Sequence, residues 1–483
     1  MKITLRQIYF IVLFLGLLIM TLRPISDPDF WWHLRTGELI VQTHTIPHVD
    51  PFSFSKAGER WITHEWLSEV LIFSLFRLGG YGLVILTFSL IITGAYFLVY
   101  IRCISQIRPY VAGFVLLLGA ISTAPTWGVR PQMISLFLFS LFLLLLERYR
   151  QNGKVRVLFP LPLIMLIWVN LHAGYLLGIV LVGIYIVGGF IEMLLIELHI
   201  EEQTHDFSSL RALLNLFGFM CFCILASFIN PNGFHIVIYP FQTLTSHSMQ
   251  KFIQEWFSTD FHQWMWQPFA FFLLGLIAVG MLAKKSIKPT NILLVLVSGY
   301  AALYSMRNIP LFIVTAIPVF AEQIGFLVKI HISTKPLPRI PQLAGYFLVV
   351  CTILITGLCF VRVVRQQAKT INDNFPKAAT DWLLEKKPDG NLFNSYGWGG
   401  YLIWRMYPEF RVYVDGRADV YGDEFIIEYL SMYHAETGWE EKLKSHAIQT
   451  VLIESSSPLA NMLRRAPPWR IVYEDELSVL FIK

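Results

Sequence analysis

Long apolar runs, separated by short polar segments, dominate the chain. A helix needs about 20 apolar residues to cross a bilayer. Eleven runs approach that length, centred on residues 8–22, 81–101, 110–126, 131–147, 157–170, 175–195, 212–229, 267–283, 290–304, 309–328 and 342–363. The pattern predicts an α-helical polytopic membrane protein. A transmembrane β-barrel is disfavoured, because its apolar residues would alternate with polar ones rather than run continuously. Residues 65–78 (EWLSEVLIFSLFRL) are shorter and amphipathic, and read as a helix lying on the membrane surface. The first run follows Lys2 and Arg6, and no small-residue cleavage site comes after it, so an uncleaved first span is expected.

Three stretches lie outside the apolar runs: 23–80, 230–266 and the tail from 364 to 483. The sequence therefore divides into a membrane domain over 1–363, carrying the first loop, and a small C-terminal α/β domain over 364–483. In the tail, 376–387 reads as a helix. Residues 391–394, 411–414, 449–453, 470–473 and 478–482 read as strands, with helices at 423–433 and 439–446 between them. Asp475 and Glu476 sit at the turn of a final hairpin. No glycine-rich phosphate loop follows a strand, which argues against a dinucleotide site. Neither an internal repeat nor the inverted repeat of a transporter is visible.

Composition agrees. Of 483 residues, 55% are hydrophobic and 15% charged, against about 25% charged in a soluble domain. A water-soluble enzyme and a disordered chain are both excluded. The net charge of +5 reflects basic residues in short loops, so it bears on topology and not on nucleic acid. With the N-terminus in the cytoplasm, the cytoplasmic segments hold fifteen basic residues, among them Lys2, Lys284, Lys335 and Arg339, and the opposite loops hold eight. The acidic loop at 196–210 runs against that pattern. Eleven spans then place the tail outside a cell (inner or plasma) membrane. The five cysteines lie in or beside apolar runs, with no ligand spacing, and read as small buried hydrophobes.

The candidate chemistry sits in the first outer loop. Residues 26–40 read SDPDFWWHLRTGELI, placing Asp27 and Asp29 at the end of the first span, ahead of three aromatics, His33 and Arg35. His48, Asp50, His64 and Glu65 follow. Acids at a membrane boundary are costly, and suggest a site that holds cations or moves protons beside lipid.

The run Asp29, Phe30, Trp31, Trp32, Arg35 resembles the first external loop of the GT-C superfamily of glycosyltransferases, with an oligosaccharyltransferase- or protein-mannosyltransferase-like architecture. It is similar to the Asp-Pro-aromatic-aromatic-Asn-aromatic-Arg run of oligosaccharyltransferase catalytic subunits, with His33 in place of the Asn. Asp50 resembles the family's second acidic position. The Trp-Trp-Asp-type acceptor motif is absent, and YGWGGY at 396–401 is only a faint echo of it. The resemblance implies transfer of a sugar from a polyprenyl-phosphate or pyrophosphate carrier to a lipid, glycan or protein acceptor.

Such a reaction needs a carboxylate near the acceptor hydroxyl and positive charge near the departing phosphate. Asp29 is the candidate base. Asp27 is placed to share that task, or to join Asp29 in holding a divalent ion such as Mg or Mn. Arg35 and Arg307 are candidates for the phosphate. His33, Asp50, His64 and Glu65 are further substrate-binding candidates, and Asn170 and His172 are expected to share a cavity with Asp29. In the tail, Asp415 and Arg417 follow a β-type run and, with Trp398 and Tyr401, are expected to face the membrane and bind the acceptor. Two alternatives stand beside this reading: a transporter or flippase, which would carry ionisable residues in mid-span, and a non-catalytic membrane assembly protein, in which the first-loop acids would not converge.

Overall fold

The computed structural model describes residues 4–105, 107–198, 209–283, 285–331 and 342–483. Lys2, Lys284, Lys335, Arg339 and most of the acidic 196–210 loop, which entered the charge count, lie outside the described residues. Among the described residues, eight helices are long and apolar enough to cross a membrane. Three shorter apolar helices, Leu5–Thr21, Val155–Leu171 and Pro289–Tyr304, occupy the other expected spans. This is a multi-pass helical membrane protein with a small sheet near its C-terminus.

Local chemistry sets the helix ends. Prolines open Pro109–Thr123, Pro131–Asn152, Pro160–Leu171 and Pro289–Tyr304, where a missing N–H costs nothing. Gly153, in the left-handed region, closes one of them. The stretch Trp66–Ile104 is broken at Gly79 and Gly80, the latter with φ 59°. The amphipathic 65–78 segment is therefore set off from the span that follows, as its composition predicts.

Contacts divide the chain into two compact units. The first comprises 1–23, 86–230 and 254–362; the second comprises 24–85, 231–253 and 363–483. Residues 24–85 of the first loop belong to the same unit as the tail from 363 onward. In the first unit, Pro109–Thr123 and Ile309–His331 pack face to face, burying Val115, Leu116, Ile313 and Ile317 completely. Two buried acids there have close partners. Glu147 meets Arg150 at 2.8 Å, and Glu192 accepts from the Thr290 hydroxyl at 2.9 Å.

The second unit carries a four-stranded sheet of order β1-β2-β4-β3. Its strands are β1 (Asn391–Asn394), β2 (Ile448–Glu454), β3 (Arg470–Glu474) and β4 (Ser478–Ile482). β1 and β2 run parallel; β4 is antiparallel to both β2 and β3. The closing hairpin and the helices of the tail follow the sequence pattern. Residues 411–414 do not form a sheet strand. Val412 instead pairs with the first loop: its N–H reaches the Phe52 carbonyl at 3.2 Å, and the Phe54 N–H reaches its carbonyl at 3.0 Å. The buried Asn394 side chain supports this segment by accepting from the Tyr413 N–H at 2.8 Å and donating to the Val414 carbonyl at 2.8 Å.

Helix Asp29–Thr43 lies against helix Gly399–Met406 of the tail. The glycines of YGWGGY make this possible: a Cβ at Gly400 would press into the Pro28 carbonyl and the Trp32 ring. Trp31 lies edge-on to Phe375 and Tyr401 at 5.4 and 5.1 Å. Ahead of the helix, the Gln367 side chain clamps Ile25, accepting from its N–H at 2.7 Å and donating to its carbonyl at 2.9 Å.

Candidate active site

Asp29 is the first residue of its helix and is half-buried. Its Oδ1 accepts from the Trp32 indole N–H at 3.1 Å. The 415–417 turn of the tail comes so close that a Cβ on Gly416 would collide with that oxygen. Tyr396 donates to the Gly416 carbonyl at 3.2 Å. Burial, and then the charges of Asp29 and Asp415, push the Tyr396 hydroxyl well above its usual range. Asp27, more deeply buried, accepts the Asp29 backbone N–H at 3.0 Å and so fixes the start of the helix.

His33 lies one turn beyond Asp29 and is buried among acids. Its Nε2 is 3.5 Å from Glu65 and its Nδ1 is 3.6 Å from Glu69. Burial alone would lower its pKa, but Glu65, Glu69 and Asp29 together raise it. His64 lies 3.6 Å from the other oxygen of Glu65 and stacks on Tyr239 at 4.2 Å. Burial opposes its protonation too, yet Glu65 and Asp419 lift its pKa to about 9. Glu69, His33, Glu65 and His64 thus alternate acid and imidazole from a buried end to a half-buried one, where the charge of Asp419 also acts on His64. Glu69, Asp419 and Tyr239 were not singled out from the sequence. The Glu65–Glu69 spacing of one helical turn, both facing one side, was the available signal for Glu69; none pointed to Asp419 or Tyr239.

Asp50, Asp415 and Arg417 also come together, but inside the unit and not on a surface. The Arg417 guanidinium reaches Asp50 at 2.8 Å and Asp415 at 2.7 and 2.8 Å. It lies 4.6 Å from the Trp61 ring and 5.1 Å from Phe52. Asp415 also accepts from Tyr421 at 2.6 Å, and Asp50 from the Phe52 and Ser53 N–H groups at 3.0 and 3.1 Å. All three are at most 2% exposed. Trp398 and Tyr401 are buried as well, at 5% and 1%. The expectation that these four tail residues present an open membrane-facing surface is corrected: an ion pair with every partner buried is a joint between the first loop and the tail.

Arg35 projects from a different face of the helix than Asp29. It pairs with Glu38 and the Tyr407 carbonyl, and covers the Trp404 and Tyr407 rings at 5.8 and 5.5 Å. His48 is exposed. Asn170, His172 and Arg307 belong to the first unit. Asn170 donates to the Leu166 and Ile229 carbonyls at 2.9 and 3.0 Å, and accepts from Asn230 at 3.2 Å. His172 Nδ1 is 2.7 Å from the Ser135 hydroxyl and accepts from the Gly174 N–H at 2.9 Å. Arg307 stacks over Trp256 at 4.6 Å. Among the described residues, no three His, Cys, Asp or Glu side chains gather as a metal cage. Asp27 and Asp29 offer two carboxylates only, which suits a hard, water-retaining cation more than a tightly held one.

Solved structures supply the comparison. ArnT from Cupriavidus metallidurans, bound to undecaprenyl phosphate, superposes with a TM-score of 0.52 at 12% identity, over 98% of this chain and 97% of its own. The chain has the GT-C fold. The archaeal oligosaccharyltransferase AglB from Archaeoglobus fulgidus, in complex with an inhibitory peptide and a dolichol-phosphate, shares the GT-C fold with a TM-score of 0.53 at 12% identity, over 92% of this chain and 69% of its own. No protein-family model and no curated protein matches the chain.

Proposed function

We propose that this protein is a membrane glycosyltransferase that moves a sugar from a polyprenyl-phosphate-linked donor to a hydroxyl- or amide-bearing acceptor at the outer face of the membrane. The observation that carries the reading is Asp29. In a GT-C fold, this half-buried carboxylate opens the first-loop helix, held by Trp32 and walled by Gly416. The polyprenyl phosphates bound to ArnT and AglB support a lipid-linked donor.

Asp29 takes the acceptor proton as the acceptor attacks the anomeric carbon, and the bond to the carrier phosphate breaks with its electron pair leaving on the phosphate. Trp32 and Asp27 hold the carboxylate and its helix in place. The charges of Glu65, Glu69 and Asp29 favour a proton on His33, one helical turn beyond Asp29, against the effect of burial. A divalent ion, if bound, would be held by Asp29 and Asp27 and would offset charge on the phosphate. The N-terminus lies in the cytoplasm, and the second unit faces outward.

The test is transfer of labelled sugar from a polyprenyl-phosphate-linked donor by purified protein. Asp29→Asn should abolish transfer while the protein stays folded in detergent; full activity in that variant would sink the assignment. A reporter active only outside the cytoplasm, fused after Lys483, should be active, and activity of a cytoplasm-only reporter there would overturn the orientation.

A further inference from the structure

Apart from Asp29, the second unit contains a cavity of about 530 Å³. Three segments distant in sequence line this half-open cavity: the first loop at Arg60 and Ile62, residues 235–249 with the helix His235–Thr245, and the tail at 418–423. Its volume falls within the range of about 300–1,000 Å³ typical of small-molecule sites.

The chemistry of the wall is mixed. Arg60 and His235 contribute positive or potentially positive groups, Asp419 an acid, Gln242 an amide, and Thr243 and Tyr239 hydroxyls. Asp423 also borders the cavity, but its carboxylate is already committed. It accepts from the Ser246 hydroxyl at 2.7 Å, the His247 N–H at 2.9 Å, and the Ser248 N–H and hydroxyl at 3.0 and 2.6 Å. That leaves Asp419 as the acid, Arg60 and His235 as the basic groups, and Gln242, Thr243 and Tyr239 as neutral donors and acceptors. A strongly anionic ligand would meet Asp419, and a cationic one would meet Arg60. A neutral polyol satisfies both, because each hydroxyl donates and accepts.

We infer that this cavity is a binding subsite for a neutral carbohydrate, with Asp419 and Gln242 taking its hydroxyls. The inference rests on the glycosyltransferase reading for its purpose, which is to seat the sugar of an acceptor glycan or glycolipid. Asp419 is held for this task by Tyr239 and by the His64 end of the acid–imidazole alternation. Binding itself needs neither donor nor turnover.

The experiment uses the full chain in detergent without sugar headgroups. Saturation-transfer NMR is run with the methyl glycosides of glucose, galactose, mannose and N-acetylglucosamine, and with glycerol phosphate as the anionic probe. At least one neutral glycoside should bind. Gln242→Trp places an indole in the cavity from an exposed helix position and should weaken that binding by about tenfold or more; Asp419→Asn should weaken it too. Asp29→Asn should retain the binding while losing transfer. The inference is overturned if no glycoside binds, if glycerol phosphate alone binds, or if Gln242→Trp binds as well as the unaltered chain. Unimpaired transfer by Asp29→Asn would overturn the catalytic reading and leave the subsite standing.

Discussion

Replacing Arg417 with methionine removes a cation from between two buried acids while keeping most of the side chain's volume. Breaking a buried pair from one side costs about 3–5 kcal/mol, because it strands the remaining charge. Here two acids lose their partner, but neither is left bare. Asp50 keeps the Phe52 and Ser53 N–H groups, and Asp415 keeps the Tyr421 hydroxyl and the backbone N–H of residue 417. Hydrogen bonds to charged groups contribute about 1.5–3 kcal/mol each, so the loss should lie near the lower end, about 3 kcal/mol. For a unit of this size that corresponds to a fall in Tm of roughly 6–12 °C. Trp61, whose ring lies 4.6 Å from the guanidinium, makes intrinsic fluorescence a suitable probe of the melt. Neutralising the acids in the same background, with Asp50→Asn and Asp415→Asn, should restore at least half of the loss, since a neutral buried cluster strands no charge. A single variant that loses less than about 1 kcal/mol, or a triple variant weaker than the single, would refute the reading of these residues as a structural joint.

Other outcomes follow from the same geometry. Gly416→Ala should abolish sugar transfer with little change in melting, because the new methyl displaces the Asp29 carboxylate; wild-type turnover in that variant would count against the placement of the site. His64 has its pKa raised to about 9 by Glu65 and Asp419 against burial. Its contribution to stability is therefore complete below about pH 6.5 and is lost as pH climbs through 9; His64→Gln should flatten that limb of a Tm-against-pH curve, and an unchanged curve would refute it. Asp423→Ala removes the acceptor for four donors at the start of helix His247–Phe252 and should cost about 1–3 kcal/mol, seen as faster hydrogen exchange at residues 247–249 with the sheet still protected.

The spans were legible because lipid imposes a one-dimensional rule, a long apolar run, that needs no knowledge of neighbours. The break at Gly79–Gly80 was legible for the same reason, since amphipathic character stops there. The tail's closing hairpin and helices depend on local turns and periodicity. What the sequence misassigned depends on partners far along the chain. Residues 411–414 have the composition of a strand and do pair, but with residues 52–54, not with the sheet. Asp415 and Arg417 read as acceptor-binding residues at the end of a β-type run, whereas the third member of their cluster, Asp50, lies hundreds of positions earlier. Asp419 and Tyr239 carry no motif at all, and their relation to His64 exists only after folding.

That dependence on distant partners fixes an order of events during synthesis. The helix bearing Asp29 leaves the ribosome early, but Gly400 and Gly416, which wall it, and Val412, which pairs with residues 52–54, are made only after the last apolar helix. Contacts between such remote segments form slowly and late. Until the tail is made, Asp50 lacks Arg417 and Trp32 lacks the Gly400 wall, while Glu65 and Glu69 already have His33 and His64 in the same stretch of chain. A chain interrupted anywhere before about residue 417 would present an open, sticky loop in place of a half-built enzyme. On the proposed reading, sugar transfer needs the tail as well as the first loop, so a chain ending before residue 417 should transfer no sugar.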